Sequence, residues 1–133
     1  MTWTYVQSTG RLYRPDGTYA ATGYAGGAGG SRPDAVNNHA MQMLKGVGPL
    51  PVGIYTLGDA VMETQLGPFA IPLLPDMGNV MSGRSAFYMH GDKVNGPSFS
   101  ASDGCIIMPR SVRDEVYTSD DRRIVVVEIK GKI

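Results

Sequence analysis

One cysteine and two histidines occur in 133 residues, and that scarcity excludes a good deal. Cys105 alone cannot close an intramolecular disulfide, and a metal centre would have to be built almost wholly from His, Asp and Glu. An excess of charge is missing too, since 12 Lys and Arg face 12 Asp and Glu. With no net charge there is no global field to gather a polyanion or an anionic lipid surface, so neither nucleic acid nor membrane insertion is expected. No apolar run approaches the roughly 18 residues of a spanning helix, and the mean hydropathy is -0.12. The opening MTWTYVQSTGRLYRPDG lacks a basic start followed by an apolar stretch, so synthesis in the cytoplasm without a signal peptide is the expectation. Repeats of about 20–50 residues are absent as well.

Glycine and proline are plentiful, at 18 and 9 residues. Together they form about a fifth of the chain, short of the roughly 25–30% typical of disordered segments. A chain of this length supports one hydrophobic core, hence a single domain over residues 1–133. The text alternates from Trp3 to Val6, and Thr9-Gly10 and Asp16-Gly17 then punctuate short runs at 11–14 and 18–24. That spacing predicts a meander of short strands. Gly26, Gly27, Gly29 and Gly30 read as a flexible loop. After Pro33, helical spacing of Val36, Ala40, Met43 and Leu44 predicts a first helix over 34–44. Recurrent Pro and Gly from 46 to 75 favour strands between turns. Residues 85–90 and the β-branched run 123–129 read as further strands. Ser111, with acidic residues after it, predicts the N-cap of a second short helix. The expected fold is mainly β, a sandwich or barrel of short strands with two small helices.

Chemistry concentrates near Cys105. A strand ending Tyr88-Met89-His90-Gly91 leads into a polar loop over 92–100 and then Ser102-Asp103-Gly104-Cys105-Ile106. His90 precedes Cys105 by 15 residues, enough for a strand end, a loop and a return that sets imidazole against thiol. That pairing yields a nucleophilic thiolate near neutral pH. Gly104, lacking a Cβ, lets the chain turn sharply and aim the amides of Gly104 and Cys105 at a developing oxyanion. A buried Cys serving only as a small hydrophobe is the bland reading, but the flanking His-Gly and Ser-x-Gly favour cysteine acyl transfer.

His90-Gly91 followed by Ser102-x-Gly104-Cys105-Ile106 resembles the signature of the YkuD-type L,D-transpeptidase catalytic domain. Trp3, Tyr5, Ser8-Thr9-Gly10, Gly48-Pro49-x-Pro51-x-Gly53-x-Tyr55, Gly67-Pro68 and Gly83-Arg84-Ser85-x-Phe87 extend the resemblance toward the DUF2778 branch, which includes L,D-transpeptidase-like effectors of type VI secretion. The resemblance implies Cys105 as nucleophile, His90 as its base and the Gly91 carbonyl as the group orienting the imidazole. It places Ser102, Gly104 and Cys105 around the acyl site. Asp103 stands where many members carry a second His, and Ile107 where many carry Arg or Asn. Arg84 could replace that missing grip: an even offset from His90 puts it on the same face of a continuous strand, where it would bind a stem carboxylate or serve as a structural ion pair. Tyr88 shares that face and would line the cleft or simply pack. Asp103 and Asp92 could meet substrate amines, though loop solvation suits Asp92 better, and His39 reads as a solvated helix residue.

By this resemblance the substrate is the tetrapeptide stem of peptidoglycan, attacked at the L-centre of diaminopimelate with loss of the terminal D-Ala. Water as acceptor gives an L,D-carboxypeptidase, a D-amino acid gives exchange, and a second stem gives a 3-3 cross-link. No cofactor and no metal is expected. Action in the periplasm of a target bacterium after type VI delivery, and a cognate immunity protein, are implied likewise. Two other readings stand beside it. A papain-like or NlpC/P60 peptidase fits the residue types, but those families place Cys before His. A non-catalytic wall-binding module would keep the fold and leave Cys105 slow to alkylate.

Overall fold

The computed structural model describes residues 1–62, 67–93 and 99–130; five residues of the expected 92–100 loop, 94–98, lie outside them. Among the described residues nine strands form one sheet: β1 (Thr2–Val6), β2 (Arg11–Tyr13), β3 (Tyr19–Thr22), β4 (Tyr24–Ala25), β5 (Gly53–Leu57), β6 (Ile71–Pro75), β7 (Phe87–His90), β8 (Ile106–Ile107) and β9 (Arg123–Val127). Their order is β3-β2-β1-β9-β5-β6-β7-β8-β4. The β-branched run is a central strand, parallel to β1 and antiparallel to β5. Inward residues alternate along the strands: Trp3 and Tyr5, Tyr55 and Leu57, Ile71 and Leu73, Phe87 and Met89, Ile124 and Val126 all join one core, as a period of two requires.

β3 and β4 stand at opposite ends of the strand order yet are separated by Gly23 alone. The sheet therefore curls until its ends meet, the mainly β single-domain architecture expected from the turns. Only glycine fits the seam. A Cβ on Gly23 would lie 1.8 Å from the Ile107 carbonyl oxygen, and one on Gly10 would lie 2.0 Å from that of Gly23. The Gly23 N–H closes the seam on the Gly10 carbonyl at 2.8 Å.

Among the described residues one α-helix is present, α1 (Arg110–Thr118), with Val116 in the core. Its N-cap is Pro109 rather than Ser111. Among the described residues no helix is long and apolar enough to cross a membrane. The helix expected over 34–44 is absent. Two 3-10 turns, Pro33–Ala35 and His39–Met41, replace it, because Asn37 takes a left-handed φ of 55° and turns outward to pair with β4. Its side-chain oxygen accepts from the Ala25 N–H at 3.1 Å and its N–H donates to the Ala25 carbonyl at 2.9 Å. The glycines of 26–30 pack closely instead of forming an open loop: a Cβ on Gly26 would meet Ala35 and Pro49 backbone at 2.7 and 2.8 Å.

Candidate active site

β7 and β8 run parallel, with Met89 opposite Ile106 and His90 opposite Ile107. Met89 and Ile106 point into the core, fully buried. The alternate residues Tyr88, His90, Cys105 and Ile107 therefore belong to the other face. Cys105 lies level with Tyr88, one ladder step across and two residues along from His90, which sets their Cα atoms roughly 8 Å apart. The topology thus brings the only cysteine and the buried histidine together at one end of two paired strands.

The imidazole is fixed from behind. His90 Nδ1 lies 2.9 Å from the Gly91 carbonyl oxygen, and a carbonyl only accepts, so Nδ1 carries the proton and Nε2 is the basic nitrogen. The sulfur rests on the Tyr88 N–H at 3.4 Å; Tyr88 thus meets the thiol through its backbone. Burial holds the His90 imidazolium below its ordinary 6.5; the Gly91 carbonyl favours the charged form and the nearby Arg113 opposes it. Burial also pushes the Cys105 thiol above its ordinary 9.0, outweighing the Tyr88 N–H and the Arg84 charge that favour the thiolate, while Asp103 disfavours it. Both directions favour a resting thiol and neutral imidazole over the thiolate expected near neutral pH. Ultraviolet thiolate absorbance of the native protein should accordingly appear only above 9.0. A step below neutrality that vanishes in His90→Ala would show a preformed ion pair instead.

Three expectations change. Ser102 is completely buried and serves the loop rather than the pocket wall: its Oγ accepts from the N–H groups of Gly26 and Gly104 at 2.9 and 3.0 Å and donates to the Cys105 carbonyl at 2.6 Å. The Gly104 amide is therefore committed to Ser102 and is not free for an oxyanion. Gly104 is still required, because at φ 143° its Cβ would lie 2.5 Å from Arg84 Nη2 and 2.7 Å from the Phe87 ring.

Arg84 precedes the strand, which begins at Phe87 after a left-handed Ala86, so the same-face argument fails. Its guanidinium is buried and donates to four carbonyls, those of Gln42 (2.5 Å), Pro49 (2.9 Å), Gly48 (2.9 Å) and Asp103 (3.1 Å). It clamps two segments beside Cys105 and has no donor pair left for a carboxylate. Phe87 covers it, the guanidinium carbon 5.1 Å from the ring centre.

Cys105 opens on a pocket of about 210 Å³ walled by Lys45, Arg84, Phe87 and Asp103 among others. Asp92 lies elsewhere, bonded to the Tyr24 hydroxyl at 2.8 Å and lining a second pocket. His39, far from the thiol in sequence, is half-buried, its Nδ1 2.6 Å from Gln7 Oε1 and Nε2 3.6 Å from Glu128. Among the described residues no group of three His, Cys, Asp or Glu is placed to hold a metal. The sequence reading missed Arg113, buried behind Gly91; a basic residue on the inner side of an amphipathic helix was its one signal.

The Tlde1 domain family model matches residues 23–130, a span that contains His90 and Cys105 and points to a type VI secretion effector. No curated protein matches. In fold the chain is similar to the solved structure of Bdellovibrio bacteriovorus Bd1075, with TM-score 0.58 and 15% identity over 96% of this chain and 48% of that one. The chain thus spans about half the length of that protein.

Proposed function

We propose, from the premise that this chain belongs to the Tlde1 domain family, that it catalyses cysteine-dependent acyl transfer on the tetrapeptide stems of peptidoglycan. The observation that carries the reading is the Gly91 carbonyl fixing His90 Nδ1, which leaves a basic Nε2 on the sheet face that bears Cys105. The finer likeness to YkuD-type domains and their DUF2778 branch rests on the sequence motif and supplies the substrate class.

In this reaction the Cys105 sulfur attacks the carbonyl carbon of the L-centre that carries the terminal D-Ala. Nε2 takes the thiol proton as the C–S bond forms, which a neutral pair allows without a preformed thiolate. Collapse of the tetrahedral adduct breaks the C–N bond, and the same proton passes from Nε2 to the departing amine. The resulting thioester goes to water, a D-amino acid or a second stem. Delivery by a type VI apparatus into the periplasm of a rival cell, and an immunity protein covering the cleft in the producer, complete the proposal.

Incubation with purified tetrapeptide muropeptides, followed by mass, tests it. Loss of D-Ala, or its replacement by added D-amino acid, is the expected result. Unchanged stems would refute the reading. Alkylation of the thiol is a weaker discriminator than product mass, because a half-buried thiol whose ionisation is disfavoured reacts slowly even in an active enzyme.

A further inference from the structure

The pocket that Cys105 opens on lies to one side of the catalytic pair. With Met89 opposite Ile106, Cys105 comes level with Tyr88, and His90 stands two residues further along. Ser85, Ala86, Phe87 and Asp103, which wall the pocket of about 210 Å³, all precede that level. The pocket therefore extends from the sulfur away from the imidazole.

Its charged walls are Lys45, Arg84 and Asp103. Arg84 commits both Nη atoms to the carbonyls of Gln42, Pro49, Gly48 and Asp103. Among the described residues the Lys45 ammonium and the Asp103 carboxylate have no hydrogen-bond or ion-pair partner, and they stand too far apart to pair with each other. Their backbones are nevertheless held. The Val47 and Gly48 N–H groups close the turn bearing Lys45 on the Leu44 carbonyl at 3.1 and 3.0 Å, and Arg84 Nη2 ties Gly48 to Asp103 at 2.9 and 3.1 Å. One pocket that keeps an unpaired cation and an unpaired anion apart fits a group carrying both charges, an ammonium and a carboxylate on one carbon. With Arg84 committed, Lys45 is the cation of this pocket left to grip a substrate carboxylate.

We propose that Lys45 and Asp103 are specificity-determining residues that seat the far end of the attacked residue's side chain as an amino acid head group, Lys45 on its carboxylate and Asp103 on its ammonium. The assignment rests on the acyl-transfer reading for the direction in which the substrate lies. His90 protonates the departing amine, so the leaving residue takes the imidazole's side of the sulfur and the acyl residue takes the other, where the pocket is. In diaminopimelate the second amino acid centre stands five C–C bonds from the reacting carbonyl, about 6 Å when extended. Ala86 and Phe87 give the intervening methylenes an apolar wall. A lysine side chain offers only an ammonium, and diaminopimelate amidated at that second centre offers an ammonium and a neutral amide. Both leave Lys45 unmatched, so walls built on either are poor targets.

Three synthetic tetrapeptide stems test this, identical except for a third residue that is diaminopimelate, its side-chain amide or L-lysine. D-Ala release by the native protein, followed by mass, should favour diaminopimelate over the other two by about 10-fold in kcat/KM, the low end for a hydrogen bond to a charged group in a pocket open to water. Lys45→Gln should treat the acid and the amide alike, and Lys45→Glu should prefer the lysine stem. Asp103→Asn should lose the preference for a free over an acetylated side-chain amine. Both side chains are exposed, so the variants should melt as the native protein does. Equal turnover of acid and amide by the native protein overturns the proposal, as does either preference surviving in the corresponding folded variant. If no stem reacts, the acyl-transfer reading falls, and the same peptides titrated into Cys105→Ala judge the pocket alone. Diaminopimelate must then bind more tightly than its amide, through saturable shifts of the Lys45 and Asp103 backbone amide resonances, and adding Lys45→Gln must erase the difference; equal binding of the two overturns the proposal.

Discussion

Cys105→Ala should release D-Ala from tetrapeptide stems at least about 10³-fold more slowly than the native chain, with its melting temperature nearly unchanged. Removing a nucleophile leaves only binding and polarisation to act on the carbonyl. The structural cost is small. The sulfur is half-buried and accepts a weak 3.4 Å bond from Tyr88, worth no more than about 1 kcal/mol. His90→Gln should lose about 10²- to 10⁴-fold, the range for general acid–base catalysis. The double variant should lose no more than Cys105→Ala, since the two groups act as a unit. The pH profile has a definite sign. Burial lowers the His90 value from 6.5, so the base is free at neutrality and kcat/KM falls only as pH drops through that lowered value. On the alkaline side the rate should hold until above 9.0, where the buried thiol ionises and the proton owed to the leaving amine is gone. An alkaline limb centred well below 9.0 would overturn the neutral-pair mechanism, and a folded Cys105→Ala with undiminished turnover would overturn the nucleophile.

The sequence exposed this pair and hid what surrounds it. Cys105 and His90 were legible because the chain has so few residues of either type and because the strands beside them alternate cleanly. The orienting Gly91 carbonyl was legible only through the family resemblance, and the structure places it 2.9 Å from His90 Nδ1. Roles set by distant partners were not legible. Asn37 breaks the 34–44 helix through bonds to Ala25, and no helical period reports that competition. The Gly104 amide looks free in a linear motif until Ser102 Oγ claims it at 3.0 Å. Arg84 reads as a strand residue that grips a substrate carboxylate or holds an ion pair, yet its four acceptors come from segments 19 to 42 residues away. Fold class survived such errors because it depends on many short alternating runs, whereas each of these roles depends on a single tertiary contact.

Arg84→Ala should lower the melting temperature by about 12–20 °C. Among the described residues the guanidinium is the sole hydrogen-bond partner of the Gly48 and Asp103 carbonyls on its Nη2 side, and it bridges Gln42 and Pro49 on the other. Leaving buried carbonyls unpaired costs about 1–3 kcal/mol each, so a loss of about 4 kcal/mol is a conservative sum. In a domain of this size each kcal/mol moves the midpoint by about 3–5 °C. Arg84→Lys keeps the charge but offers three donors from one point instead of a planar fork, and should fall between native and alanine. The same substitution bears on chemistry. The Arg84 charge favours the Cys105 thiolate, and its Nη2 fills the space above Gly104, so the loop carrying the nucleophile slackens when it is lost. If Arg84 gripped a substrate carboxylate instead, Arg84→Lys would raise KM and leave the ligand-free melting temperature untouched. The clamp requires the opposite: a melting temperature that falls without substrate, and a loss in kcat that tracks the misplaced sulfur. Thermal denaturation of the ligand-free variants separates the two, and an Arg84→Ala protein as stable as the native one would remove the clamp.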